Sequence, residues 1–119
     1  MLAQRAHIID PVSEQAFQAC PLPAWLQTLK DLLSPAVILA AVAPFYSSST
    51  GRPSEDPVLL FKVLFLSFLF NVKGDENILA TLRQRLDWLQ FCDLGIGAVL
   101  PDRTTLVKFR RTELHQAPR

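Results

Sequence analysis

The chain has 119 residues, of which 50% are hydrophobic and 19% are charged, so it holds enough apolar material for one folded domain and is not a disordered chain. Its formal net charge of +1 does not by itself indicate a nucleic-acid or membrane partner. Cys20 and Cys92 are far apart, and two histidines accompany them. We therefore expect no metal site, no cofactor and two reduced thiols in a cytoplasmic protein without a signal peptide.

The first 22 residues predict an irregular N-terminal segment, with at most a short helix over residues 13–19, because prolines interrupt them. A helix is predicted over residues 23–33. Its apolar residues recur at spacings of three and four and predict one inward face: Trp25, Leu26, Leu29, Leu32 and Leu33. The polar residues of the same helix are expected on the solvent side: Gln27, Lys30 and Asp31.

Ser34 predicts the start of a second, short apolar helix over residues 36–43, because a serine caps free amides and Pro35 suits the first helical position. Pro44 is expected to end this helix. A polar connector and the turn of residues 51–53, Gly-Arg-Pro, come next. That turn superficially suggests a hook for the DNA minor groove, but acidic residues follow it at 55 and 56 and repel phosphates, so we interpret it as a turn.

The most apolar stretch of the chain follows this turn. Asp56 is a good N-cap and Pro57 suits the first helical position, so a helix is predicted to begin here and to extend to about residue 71. Between residues 58 and 70 the sequence is apolar except for Lys62 and Ser67. A helix without a polar face has to be enclosed, so we expect the other helices to pack around it.

Two other interpretations of this stretch are less favourable. A membrane-spanning helix needs about 20 apolar residues and would place Lys62 inside the hydrocarbon. A buried strand rarely exceeds about 10 residues, and this run has no break. A buried core helix is the prediction.

Two more helices are predicted downstream. Gly74 is expected to take the left-handed conformation that ends the central helix, and Asp75 to cap the next one, over residues 76–86. The inward stripe of that helix is Ile78, Leu79, Leu82, Leu86 and Leu89. Residues 88–92 either extend or restart it, and residues 93–100 form a loop.

The last helix is predicted over residues 103–111, with Asp102 as its N-cap. Leu106 and Phe109 form a narrow inward stripe, and an outward stripe is basic: Thr104, Lys108 and Arg111. A helix-turn-helix in the last two helices is an alternative, but the loop is about twice the usual three to four residues. The tail, residues 112–119, is expected to fray.

Catalysis has little support in the sequence. It contains no nucleophile elbow, phosphate loop or paired-histidine zinc motif. The acids Asp56, Asp75 and Asp102 stand at predicted helix starts, where capping accounts for them better than metal binding does.

The candidate DNA-binding residues lie mainly on the last helix. Its side chains are Arg103, Thr104, Lys108, Arg110 and Arg111, and Arg83 and Arg85 extend the basic surface. Hydroxyls, free amides and cations at a helix N-terminus are suited to phosphate oxygens. From spacing alone, a solvated helix face explains these residues at least as well.

The order of the motifs resembles the N-terminal domain of bacterial insertion-sequence transposases of the InsH-like group. The resemblance covers about residues 24–111. It rests on Gly51, Arg52 and Pro53; Asp56 and Pro57; Leu82, Arg83, Arg85 and Leu86; Phe91, Leu94 and Gly95; and Pro101, Asp102, Thr105, Leu106, Phe109 and Arg110. The chain departs from the pattern at residues 72–76, and at Arg103, where the family commonly has histidine.

The resemblance implies a DNA-binding domain that acts with a following RNase H-like domain of the DDE type, which cuts and joins strands through three acidic residues and divalent metal. Residues 112–119 cannot hold such a domain. We therefore expect a truncated, non-catalytic part of a transposase that binds DNA, with transposon ends as the partner.

The expected fold is all-α: five or six helices in one domain, residues 23–111, around the central helix. Two alternatives stay open. One is a protein interaction or oligomerisation module that docks on a catalytic domain or a second copy, because the chain is rich in apolar residues. The other is a non-functional remnant of a transposase gene. Membrane association is not expected.

Overall fold

A computed structural model of the chain describes residues 9–43 and 56–111. These residues form seven helices and no strand: α1 (Pro11–Ala19), α2 (Ala24–Leu32), α3 (Pro35–Val42), α4 (Pro57–Leu69), α5 (Asp75–Gln84), α6 (Leu86–Phe91) and α7 (Arg103–Arg110). The all-α prediction is confirmed, with one helix more than the upper expected number. The predicted end of a helix at residue 44, the turn at residues 51–53 and the tail at 112–119 lie outside the described residues.

The additional helix is α1, which begins two residues before the short helix that the sequence suggested. Asp10 caps it by accepting a hydrogen bond from the backbone N–H of Ser13 at 2.8 Å, and Pro11 occupies the first helical position. The Ser13 hydroxyl donates to Asp10 and accepts from the backbone N–H of Ile96 at 2.8 Å. Gly95 has to be small here, because a Cβ would approach Asp10 Oδ2 to 2.9 Å. The capped start of α1 is thereby bound to the loop that precedes α7.

Helices α2 and α3 follow the predicted boundaries, but the inward face of α2 is narrower than its sequence pattern. Leu26 is the buried residue of α2, whereas Trp25 and Leu32 are exposed. Ser34 caps α3 as predicted, because its hydroxyl accepts from the backbone N–H of Val37 at 3.3 Å.

The predicted central helix is α4, which contacts α3, α5, α6 and α7. Asp56 caps it by accepting from the backbone N–H of Val58 at 2.9 Å. Most of the helix is buried as expected. Its last turn is not, since the side chain of Phe68 is 87% exposed.

The predictions for the turn between α4 and α5 are wrong in two respects. Asn71, not Gly74, is the left-handed residue that ends α4, with φ 57°, and the backbone N–H of Val72 bonds to the carbonyl of Ser67 at 2.8 Å. This is the Schellman arrangement, which asparagine tolerates because it enters left-handed backbone at low cost. Gly74 instead precedes α5 as its N-cap with φ 91°. Asp75 is the first residue of α5 and pairs with Arg110 rather than capping the helix.

The predicted stripes of the last helices are largely confirmed. Extended backbone at Arg85 separates α5 from α6, so the chain restarts a helix there. Asp102 caps α7 by accepting from the backbone N–H of Thr105 at 2.8 Å, and Leu106 and Phe109 are buried. Residues 92–102 join α6 to α7, a longer connection than the usual three to four residues, so a helix-turn-helix stays a prediction.

Candidate functional site

The solvent face of α7 carries the candidate residues that the sequence placed there. Leu106 and Phe109 on the opposite side of the helix pack against the core. The exposed side chains are Arg103, Thr104, Lys108 and Arg111. We call these four residues the α7 face. The structure therefore brings them together on one surface.

The α7 face is electrostatically positive. Arg103 and Arg111 form no ion pair with any residue in the described ranges. Asp102, the N-cap of α7, carries an opposing charge. The hydrogen bond from the Thr105 backbone N–H, followed by the one from the Thr105 side chain, lowers the pKa of this carboxyl, and Lys108 adds to the effect. Asp102 is therefore ionised at neutral pH, and it is the N-cap carboxylate at the start of this face.

Arg110 lies on α7 but differs from the α7 face in its contacts. Its guanidinium pairs with the carboxylate of Asp75 at the start of α5, and both side chains are partly buried. This pair joins α5 and α7, so Arg110 contributes to packing before it contributes to any partner.

Arg83 and Arg85, the outer candidates, are also unlike each other. Arg85 donates two hydrogen bonds to Asp87, at 3.0 and 2.7 Å, and lies over the ring of Phe70 at 4.9 Å. These bonds raise the pKa of Arg85 and lower that of Asp87. Arg83 is exposed on α5 and forms no ion pair within the part of the chain that the structure describes.

A partly buried ionic cluster was missed by sequence reasoning. Lys62, 3% exposed inside α4, lies 3.5 Å from Oδ2 of Asp93, and Lys30 of α2 lies 2.8 Å from Oδ1. Lys30 also donates to the carbonyl of Gln90 at 3.0 Å. The expectation that Lys30 faces solvent is therefore wrong. The signal for this cluster was Lys62 itself, since a buried ammonium needs an anion nearby.

Two cavities flank the exposed side chain of Phe68. An apolar one of about 340 Å³ is lined by Phe61, Leu64, Phe65, Phe68 and Phe109. The other, of about 480 Å³, has a mixed lining that includes Ser67, Phe68, Asn71, Lys73 and Arg110. Sequence reasoning missed Phe68 as a surface residue because the whole apolar run was expected to be enclosed.

Within residues 9–43 and 56–111, no three histidine, cysteine, aspartate or glutamate residues are grouped as they would be to hold a metal ion. No single described helix is long and apolar enough to cross a membrane, and α2 and α3 meet those criteria only together, across a bend of 52°.

These features define an all-α domain whose last helix presents a basic face. Residues 15–112 match the family described as Transposase domain (DUF772), and the chain belongs to this family. Its role is therefore related to transposases, as the resemblance in the sequence implied. Neither the curated proteins nor the solved structures include a match.

Proposed function

We propose that this domain binds DNA for an insertion-sequence transposase, with the ends of the element as its target and the α7 face as its main contact. The main observation that supports this proposal is that Arg103, Lys108 and Arg111 are exposed on one side of a helix whose other side is buried. Cations on a rigid helix suit the phosphate backbone, which supplies most of the affinity in non-specific binding. Thr104 adds a hydroxyl for a phosphate oxygen.

The other candidates take secondary places in this proposal. Arg83 is an outer phosphate contact, because it is exposed and has no ion pair among the described residues. Arg85 and Arg110 contribute less, because Asp87 and Asp75 hold their guanidinium groups.

The proposal gives the domain a binding role in the cytoplasm and no strand chemistry of its own. Cutting and joining by the DDE mechanism needs carboxylates that converge on divalent metal. We assign that chemistry to a separate catalytic domain. In this proposal the present domain docks on that catalytic domain.

The test is DNA binding by the triple variant R103A/K108A/R111A. Each lost phosphate contact removes about 0.9 from the slope of log affinity against log salt, so the triple variant should lose about 2 to 3 units of slope and bind weakly to every duplex sequence. Fluorescence anisotropy with a labelled duplex between about 50 and 200 mM salt, over which binding through phosphate contacts weakens steeply, measures both quantities.

The matched control is R103K/R111K, which keeps both charges and should keep most of the salt slope, because a phosphate contact depends mainly on charge. Equal affinity and equal slope for the parent and the triple alanine variant would reject the α7 face as the DNA contact.

A second candidate function, self-association, has its own supporting observation. Trp25, Leu32 and Val37 on α2 and α3 are large apolar side chains that are half or more exposed. Exposed apolar patches commonly mark protein interfaces. Light scattering on the parent and on W25S/L32S distinguishes the two candidates: a dimer that W25S/L32S dissociates, and that binds no DNA, would favour self-association.

A further inference from the structure

The mixed cavity beside Phe68 has a composition that suits a nucleotide. It lies where the end of α4, the turn into α5 and the last turn of α7 meet. Its volume of about 480 Å³ is within the usual range of about 300–1,000 Å³ for small-ligand sites. Phe68, several apolar side chains, the amide of Asn71 and two cations line it, and the Ser67 hydroxyl in its wall donates to the carbonyl of Leu64.

Two cations in the lining favour an anionic group. Lys73 is exposed on the turn, and Arg110 enters from α7. Asp75 holds one nitrogen of the Arg110 guanidinium, which fixes its orientation and leaves other N–H groups for a second acceptor. The first turn of α5 carries two acids, Asp75 and Glu76, and Asp75 already pairs with Arg110. Lys73 is therefore the lining cation that forms no ion pair with any described residue.

Phe68 supplies an aromatic face next to these cations. Its side chain is 87% exposed although it belongs to the central core helix. An exposed ring beside cations is the arrangement by which proteins bind unpaired bases, since the base stacks on the ring and the phosphate meets the cation. Arg110, which lines the cavity, is followed in the chain by Arg111 of the α7 face, so the cavity and the α7 face both reach the C-terminal end of α7.

We infer that this cavity binds one unpaired nucleotide of a DNA strand, with its base stacked on Phe68 and its phosphate held by Lys73 and Arg110. The inference rests on the proposed DNA-binding function and adds the form of DNA that the domain prefers. It predicts tighter binding to a duplex with a single-stranded overhang than to a blunt duplex of the same sequence.

The experiment compares these two duplexes by fluorescence anisotropy with the 119-residue chain and its variants. The parent should bind the overhang duplex about tenfold more tightly, which is within the usual contribution of one stacked base. F68A and F68L should remove this preference without weakening blunt-duplex binding, because F68L keeps an apolar side chain and loses only the aromatic face. F68W should retain it. K73A should reduce it, and circular dichroism melting verifies that each variant is folded.

Several results would overturn the inference. An equal affinity of the parent for both duplexes would do so, as would an overhang preference that survives in F68L. A dimer seen by light scattering that F68A dissociates, with an unchanged preference between the duplexes, would assign Phe68 to self-association instead. Tight binding of a free deoxynucleotide without any overhang preference would identify a small-molecule site unconnected with DNA strands.

The two proposals fail separately. A parent that binds blunt duplex through the α7 face but shows no overhang preference contradicts only the inference about the cavity. A parent that binds the overhang duplex through Phe68 while R103A/K108A/R111A has no effect contradicts only the assignment of the α7 face.

Discussion

Two groups of cations in this domain have opposite surroundings. Lys30 and Lys62 both pair with one carboxylate, that of Asp93, where α2, α4 and the turn after α6 meet. Arg103 and Arg111 project from α7 and form no ion pair with any described residue. The first group is neutralised within the fold, and the second is the group to which we assign the DNA contact. The difference shows that the number of cations does not decide their role. What separates the two groups is whether a carboxylate of the same chain lies close enough to form an ion pair.

The backbone at Asp93 explains how one carboxylate reaches both lysines. Asp93 has a left-handed φ of 57° at the end of α6, and the N–H of Leu94 bonds to the carbonyl of Leu89 at 2.9 Å. This is the same Schellman arrangement that ends α4, with aspartate in place of asparagine. The turn thereby presents the carboxylate to Lys62 of the core helix. The ring of Phe91, at the end of α6, also lies over this ammonium, with 5.8 Å between Lys62 Nζ and the ring centroid.

The largest effect on stability is expected where the ion cluster of Lys30, Lys62 and Asp93 is broken. D93N keeps the shape and the left-handed tolerance of the residue but removes the charge, so Lys62 is left buried without an anion. We expect the free energy of unfolding to fall by about 2–3 kcal/mol, below the usual cost for a fully buried pair because Asp93 is partly exposed. Urea denaturation followed by circular dichroism measures the loss.

The matched variant for this prediction is K62M, which removes the buried charge and keeps the length of the side chain. Its stability should equal or exceed that of the parent, because an apolar replacement of a buried ion is often neutral or stabilising. The double variant K62M/D93N should recover most of the stability lost in D93N. If D93N alone unfolds at the same urea concentration as the parent, the cluster does not stabilise the fold.

A smaller effect on stability is expected at Arg110, which forms an ion pair, than at Asp93, and almost none is expected at its neighbour Arg111, which forms none with a described residue. R110A leaves the partly buried carboxylate of Asp75 without its partner and should lower the free energy of unfolding by about 1–2 kcal/mol. R111A removes an exposed side chain and should stay within about 0.5 kcal/mol of the parent. Parallel urea titrations test this, and equal losses in the two variants would show that the Arg110–Asp75 pair has no special structural role.

The smallest effect is expected for the dependence of stability on pH, which the exposed Arg85–Asp87 pair at the start of α6 influences. Hydrogen bonds from Arg85 hold the pKa of Asp87 below its ordinary value. Because the folded pKa is lowered, the pair's contribution is present above the ordinary aspartate pKa of about 4 and is lost as the pH falls through the lowered value. Thermal melting between pH 6 and pH 3, the range around that pKa, should therefore show a smaller drop in Tm for D87N than for the parent.

R85A is the control for the pH experiment, because it removes the largest cause of the lowered pKa and leaves the carboxyl and its hydrogen bond from the Trp88 backbone N–H in place. Its pH dependence should resemble that of D87N. A parent-like acid response in both variants would exclude this pair from the acid sensitivity of the fold.

Local features of the domain were predictable because they depend on residues that are neighbours in sequence. Ser34, Asp56 and Asp102 were identified as helix caps, and each accepts the expected backbone hydrogen bond. Asp10 and Pro11 repeat the pattern of Asp56 and Pro57 and cap α1 in the same way. The same local rule therefore contained the signal for the whole of α1, although only a shorter helix was predicted.

The candidate site was only partly predictable, because the role of a cation depends on what packs beside it. The periodicity of α7 separated its buried side from the α7 face. It did not separate Arg110 from Arg111, since the partner of Arg110 is 35 residues away in sequence, at the start of α5. The exposure of Phe68 was unpredictable for a related reason: neighbouring helices cover most of α4 and leave its last turn open.

By itself, the sequence determined the helices, most of their caps and the position of the core helix, because propensity, capping and periodicity act over a few residues. Tertiary structure alone decided that Asp93 holds two lysines, that Asp75 pairs with Arg110 and that Phe68 reaches solvent. The two ion-pair arrangements require residues that are far apart in the chain to lie within a few ångströms of each other. The exposure of Phe68 requires that no other helix covers its side chain. Only the packing of the helices against one another settles such distances.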